Sequence, residues 1–217
     1  YALANTGEMT LPVKESEVPQ AAVRISDIED LAEVLPMAWK KTGVSVDSAP
    51  RTISITLERL VSRIGISLDA SLVSGLQITS VRLCQSASTV RPFATSGSMV
   101  LSEDETIDGD YASGIDLDSI DNGESVFFYA LENCQGSLLP DNTDPWAKVK
   151  AALCTYIEAV GEFQEGFLFE GTVTYRIYLG EDNTSDFSII RNNDMAVTLT
   201  LTGEGLKEIS WKVDPDV

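Results

Sequence analysis

The last third of the chain carries the plainest alternation of apolar and polar positions. Tyr175, Ile177 and Leu179 alternate with Thr174, Arg176 and Tyr178. Val197, Leu199 and Leu201 alternate with Thr198, Thr200 and Thr202, and Ile209, Trp211 and Val213 with Ser210 and Lys212. A period of two in β-branched and aromatic residues predicts strands with one buried face. Turn chemistry separates the runs at Gly180-Glu181-Asp182-Asn183, Arg191-Asn192-Asn193-Asp194 and Gly203-Glu204-Gly205. The stretch from Gly166 to Val213 therefore predicts antiparallel strands of one sandwich. Just upstream, 151–163 and 167–179 predict a hairpin turning at Gln164-Glu165-Gly166, and Val126–Leu131 predicts a further strand.

In the first half the dominant run is Thr52–Leu68. Ile53, Ile55 and Leu57 share one parity, while Leu60, Ile64, Ile66 and Leu68 share the other. A bulge near Glu58–Leu60 would reconcile them, because one extra residue flips every later side chain. The expectation is one long central strand whose inward residues are Ile53, Ile55 and Leu57, then Ile64, Ile66 and Leu68. Gly75 then turns the chain into Leu76–Leu83, which completes a long hairpin. Before it, 1–20 is polar with Pro12 and Pro19 and predicts an extended arm or a broken edge strand. A short strand over 22–26 leads to a short helix over 28–34, capped by Ser26 or Asp27 and stopped by Pro36. Ser86–Thr95, rich in Ser and Thr with Pro92, predicts a linker; 102–124 and 136–146 predict loops. The expected fold class is all-β, with β-sandwich domains in series over 1–91 and 92–217.

Composition narrows the function classes. The 217 residues hold 34 acidic against 15 basic side chains, a net charge of −19. That balance argues against nucleic acid, whose phosphates need Lys and Arg, and against anionic lipid surfaces. It reads most simply as solubility. No run is long and apolar enough to span a bilayer. Tyr1-Ala2-Leu3-Ala4 has neither a charged nor an apolar leader region, so an exported protein would be represented here in mature or trimmed form. The three cysteines, Cys84, Cys134 and Cys154, cannot close a full disulfide framework; they read as small buried hydrophobes with at most one bridge.

Candidate chemistry is sparse, and the expectation is no enzyme, no cofactor and no metal. There is no histidine, which removes histidine-dependent triads, bases and zinc sites. No glycine-rich phosphate loop follows a strand. Glu162, Glu165 and Glu170 gather around one expected turn, where carboxylates are usually solvated, which leaves glycoside hydrolysis a weak reading. Asp116, Asp118 and Asp121 begin a calcium-like loop, but Ile120 stands where an oxygen ligand belongs and no glutamate closes it, so a solvated loop is favoured. Trp146, after Pro145 in a loop, suits a sugar platform or an interface anchor, and equally a plug between loop and sandwich.

An ordered series of landmarks carries a resemblance. Leu57-Glu58-Arg59-Leu60-Val61-Ser62-Arg63-Ile64, Phe128-Tyr129-Ala130-Leu131-Glu132-Asn133 and Thr155-Tyr156-Ile157-Glu158 come first. Val173-Thr174-Tyr175-Arg176-Ile177-Tyr178-Leu179-Gly180, Asp186-Phe187, Arg191-Asn192 and Ser210-Trp211-Lys212-Val213 follow. From Ile53 to Val213 the series resembles the fimbrillin-like subunits of the type V pilus of Bacteroides and Porphyromonas relatives. The resemblance implies transthyretin-like or Greek-key domains, the first lacking a strand, and an extracellular structural subunit serving adhesion and biofilm formation. It implies other pilus subunits as partners by strand exchange, export through the periplasm and a lipid-anchored outer-membrane precursor.

The same resemblance implies an arginine-directed processing cut, for which Arg24 and Arg51 are candidates; both read equally well as ordinary surface arginines. It implies O-glycosylation at Asp-Ser followed by a small or aliphatic residue, which Ser48 and Ser119 satisfy. Ile209, Trp211 and Val213 lie on the candidate donor strand. Pro215 and two aspartates follow Val213, so the expectation is that this run completes its own sheet and that the chain accepts a strand without giving one, as a tip subunit or a chain trimmed at its C-terminus would. The rival class is a surface sandwich that binds glycan and does not polymerise.

Overall fold

Alternation becomes strand pairing where a neighbouring strand is available and one side can be buried. The computed structural model describes residues 1–217 except 8, 10, 11, 13, 46, 47, 49, 73–75, 110–123, 149–151, 164–170, 203, 204 and 215–217. The N-terminal part holds β1 (Ala2–Ala4), β2 (Val23–Arg24), α1 (Asp30–Glu33), β3 (Met37–Trp39) and β4 (Glu58–Arg59). Then come β5 (Val61–Leu72), β6 (Leu76–Cys84), β7 (Ser86–Ala87), β8 (Thr89–Val90) and β9 (Thr106–Ile107). The remainder is β10 (Val126–Leu131), β11 (Asn133–Ser137), β12 (Tyr156–Phe163), β13 (Gly171–Tyr178), β14 (Asp186–Ile189), β15 (Asp194–Thr202) and β16 (Gly205–Asp214). The fold is nearly all β, as expected.

Two sheets face one apolar cluster. A six-stranded sheet runs β16-β15-β5-β10-β7-β9, and a three-stranded sheet runs β13-β12-β6. Ile64 and Ile66 from β5, Ala130 from β10 and Val197 and Leu199 from β15 meet Ile78, Val81 and Leu83 from β6, and Ile157 and Ile177 from β12 and β13. In β13 the alternation works as read: Ile177 is buried while Thr174 and Arg176 are exposed. The β12–β13 and β15–β16 hairpins also form as expected. β15 runs parallel to β5, with Met195 opposite Ile64, so the C-terminal strands do not make an all-antiparallel sheet.

Three expectations for the first half are overturned. Ile53, Ile55 and Leu57 are 46%, 52% and 36% exposed, whereas Leu60, Ile64 and Ile66 are buried. Residues 51–57 lie in no assigned strand. The change of parity marks a break rather than a bulge. β4 pairs with β3, the chain bends at Leu60, whose N–H donates to the Pro36 carbonyl at 2.8 Å, and β5 then enters a different sheet. Alternation shows that a segment can be extended; only a facing layer buries it, and none among the described residues buries Ile53, Ile55 or Leu57. The side chain of Leu68 lies outside the described part.

Nor do β5 and β6 form a hairpin. β5 takes β10 and β15 as neighbours and β6 takes β12, so consecutive strands sit in opposite layers, each offering apolar side chains to the shared core. The expected linker is also part of the core region: Ser86, Ala87, Thr89 and Val90 are all buried, in β7 and β8. Small residues there allow close packing, which Ser/Thr composition alone disguises as a loop. Ladders cross the expected boundary at Arg91–Pro92 through β5–β10, β5–β15 and β6–β12, so that boundary does not separate the strands.

Candidate assembly site

A second apolar cluster lies at the N-terminal end of the fold. Leu60, Val61, Ala87, Val90, Phe93, Met99, Leu101 and Leu131 form most of it. Its cover is the N-terminal stretch, through buried Ala21, Val23, Leu31 and Ala38. Tyr1 adds an edge-on ring contact to Phe93, with centroids 4.9 Å apart. The backbone tethers of this cover are short. β2 pairs with β8 at Val23–Val90 and Arg24–Thr89. β1 pairs with β3 from Ala2–Trp39 to Ala4–Met37, and β3 with β4 at Met37–Arg59 and Ala38–Glu58. The helix α1 is shorter than expected and begins later: Glu29, not Ser26 or Asp27, is its N-cap, and no side chain caps it. Asp27 Oδ1 accepts the Glu29 N–H at 3.0 Å in the turn just before it, and the helix brings Leu31 into the cluster. Beyond the cover, the exposed row Ile53, Ile55, Leu57 continues the chain toward β4.

The sequence candidates fall around this region and elsewhere. Arg24 ends β2 with its side chain exposed, and Arg51 is exposed at the start of the 51–57 segment. Ser48 is exposed in a bend; Ser119 lies outside the described residues, as do Asp116, Asp118 and Asp121 and the glutamates at 165 and 170. Glu162 is exposed on β12. No group of three or more His, Cys, Asp or Glu that could hold a metal occurs among the described residues. The backbone of Ile209, Trp211 and Val213 pairs with Leu199, Val197 and Met195 of the same chain; their side chains, like that of Trp146, lie outside the described part. Cys84, Cys134 and Cys154 are free and buried. Burial pushes their thiols up to about 11, 12 and 12 respectively, which keeps them protonated and unreactive.

Sequence reasoning read the landmark residues as an ordered series and missed what they do. Five of them, Glu132, Asn133, Thr155, Glu158 and Arg191, are buried polar groups that pin chain crossings. Arg191 Nε donates to Glu132 Oε2 at 2.8 Å, and its second nitrogen donates to the same oxygen. The guanidinium also donates to the carbonyls of Pro92 and Arg91, each at 3.2 Å. Glu132 Oε1 accepts the Gly97 N–H at 2.5 Å, where a positive φ of 76° favours glycine. The side chain of Asn133 donates to the Leu153 carbonyl at 2.7 Å and to Thr155 Oγ1 at 3.1 Å, and Thr155 donates to the Gln85 carbonyl at 3.0 Å. The Asn192 N–H donates to the Val61 carbonyl at 2.8 Å. On the three-stranded sheet, Glu158 takes Arg82 from β6 at 2.9 Å and Arg176 from β13 at 2.8 Å.

The turn before β14 is fixed in the same way. Asp182 is partly buried, which would raise its carboxyl, but N–H groups of Thr184, Ser185 and Asp186 and the Ser185 hydroxyl hold it well below the usual range. Lys148 closes the turn from the other side: its Nζ donates to the Asp182 carbonyl at 2.6 Å and sits 4.9 Å from the Phe187 ring centroid. Burial pulls Lys148 down to about 8, against the opposing pull of Asp182 and Asp186. These groups satisfy one another, so they build a rigid frame and supply no reacting group.

A domain of unknown function (DUF4906) matches residues 128–199, which spans Glu132, Asn133, Thr155, Glu158, Arg176 and Arg191. No curated protein matches the chain. Solved structures do. A structure named as a cell adhesion protein from Parabacteroides distasonis is 16% identical with a TM-score of 0.62, over 99% of this chain and 75% of that one. One named likewise from Bacteroides eggerthii is 14% identical with a TM-score of 0.61, over 98% and 76%. A fimbrilin from Porphyromonas gingivalis is 14% identical with a TM-score of 0.52, over 99% and 79%. At these identities the likeness concerns the fold, and the chain has the fimbrillin-like β fold these structures share.

Proposed function

We propose that this chain is a structural, non-enzymatic subunit of an extracellular fimbria and that it joins other pilus subunits by accepting a strand. The observation that carries the reading is the N-terminal cover. It buries apolar side chains over a cluster built from the rest of the chain, yet it is held by short ladders. Such a cover can be exchanged for an extended segment of another subunit, which would supply both apolar side chains and backbone partners for β8. A cut at Arg24 falls at the end of β2, and a cut at Arg51 frees the entire stretch before the exposed 51–57 row. The fold shared with a fimbrilin and with cell adhesion proteins supports the subunit role.

In this reading Ile209, Trp211 and Val213 close their own sheet through β15 and are not donated. Export to the cell surface through a lipid-anchored precursor belongs to the same proposal. Electron microscopy of native surface material, with gold-labelled antibody to this chain, tests it. Label along or at the end of filaments is the expected result. Label spread over a filament-free surface would favour the non-polymerising glycan-binding alternative.

A further inference from the structure

We propose that a cleft beside β3 binds a neutral carbohydrate. The cleft holds about 410 Å³, within the roughly 300–1,000 Å³ typical of small-ligand sites. Its walls include Trp39, Lys40, Thr56, Glu58, Thr95 and Ser96. Ala38 is buried in the N-terminal cluster; the period of a strand therefore turns Trp39 the other way, and it is half-buried on the cleft wall. An indole there offers a flat apolar body of the kind on which the C–H face of a sugar ring rests. The other five wall residues are exposed and supply both donors and acceptors, which a ligand covered in hydroxyls requires.

The cleft is built before a ligand arrives. Lys40 Nζ donates to the Phe93 carbonyl at 2.6 Å, and Arg191 donates to the Pro92 carbonyl at 3.2 Å. Glu132 holds the Gly97 N–H at 2.5 Å. The 92–97 loop is thus fixed from three sides, and little ordering cost remains for binding. Charge selects the ligand class. The Arg191 guanidinium, which also lines the cleft, is already paired with Glu132. Lys40 and Glu58 oppose each other in sign, and the net charge of −19 repels anions. β3 itself lies between β1 and β4, so a ligand reaches Trp39 through its side chain and not through a β3 ladder.

The test is a glycan array carrying mannose-, galactose-, glucose- and N-acetylglucosamine-terminated oligosaccharides beside sialylated and sulfated ones, followed by calorimetric titration with the best neutral hit. Monomeric uncut chain is used, because a cut at Arg51 would remove Trp39 and Lys40 with the cover whereas a cut at Arg24 would leave them, and the readout is then separate from polymerisation. Binding of a neutral class is expected, weakened at least about tenfold in Trp39→Ala, within about threefold in Trp39→Phe and unchanged in Trp146→Ala. Ser96→Trp, at an exposed position, should block the cleft with the thermal midpoint unchanged. The proposal is overturned if no neutral glycan binds, if acidic glycans are preferred, or if Trp39→Ala binds as wild type. Should Trp39→Ala fail to fold, retained binding in Ser96→Trp overturns it alone.

Discussion

Arg191 and Glu132, 59 residues apart in the chain, meet in a buried ion pair whose side chains are 3% and 0% exposed. The pair joins the turn before β15 to the end of β10, and through Pro92, Arg91 and Gly97 it holds the 91–97 loop. Both charges are otherwise costly to bury, so removing one strands the other. Arg191→Ala and Glu132→Ala should each destabilise the protein by about 3–5 kcal/mol in urea unfolding. The double variant should cost clearly less than the sum. Additive losses would show that the pair is not a coupled unit.

The two apolar triplets of the 53–66 region should respond differently. Ile64→Ala, at a fully buried position, should cost about 2–5 kcal/mol. Ile55→Ala, 52% exposed, should stay within about 0.5 kcal/mol of wild type. Equal losses would return Ile55 to the core and contradict the break at Leu60.

Gly180 is required by packing. An added Cβ would lie 1.9 Å from the Asp186 carbonyl oxygen, so backbone must move. Gly180→Ala should destabilise by at least about 2 kcal/mol in urea, with intact expression as a soluble chain the check that it still folds. A neutral effect would mean that the 180–186 turn relaxes freely.

Lys148 gives a pH signature. Its folded value of about 8 lies below the ordinary 10.5 because of burial. Between these values the unfolded chain keeps a proton that the native chain has released. Stability from this group therefore rises with pH across that window, and below pH 8 the buried charge is a net penalty. The stability difference between wild type and Lys148→Met should shift in favour of wild type from pH 7.5 to 10, a range set by these two values. Taking the difference cancels the opposing titration of cysteines and tyrosines. A pH-independent difference would contradict the burial of the amine.

The C-terminal strands were legible because their alternation and their turns agree: β12 with β13, and β15 with β16, follow from local pattern and hairpin chemistry. What the pattern could not carry was the layer each strand joins. Ile53 and Ile64 alternate equally well, and only the arrival of β10 and β15 distinguishes them. Ser86 and Ala87 look like linker because small residues carry no hydrophobic signal, although close packing is why they are small. The polar pins were visible as Glu132-Asn133, Thr155 and Arg191-Asn192, but side-chain partners 20 to 100 residues apart leave no local spacing to read. A lone charged residue inside an apolar strand run was the available signal.

The central claim is that the N-terminal stretch is an exchangeable cover. Limited digestion of the folded chain with an arginine-specific protease, with N-terminal sequencing and light scattering of the product, tests it most directly. The account predicts cutting after Arg24 or Arg51, loss of the cover, and growth of the trimmed chain into polymers once an extended segment of another subunit is supplied. Cutting that spares both sites while opening others, or a trimmed chain that keeps its cover and stays monomeric with that segment present, would contradict it.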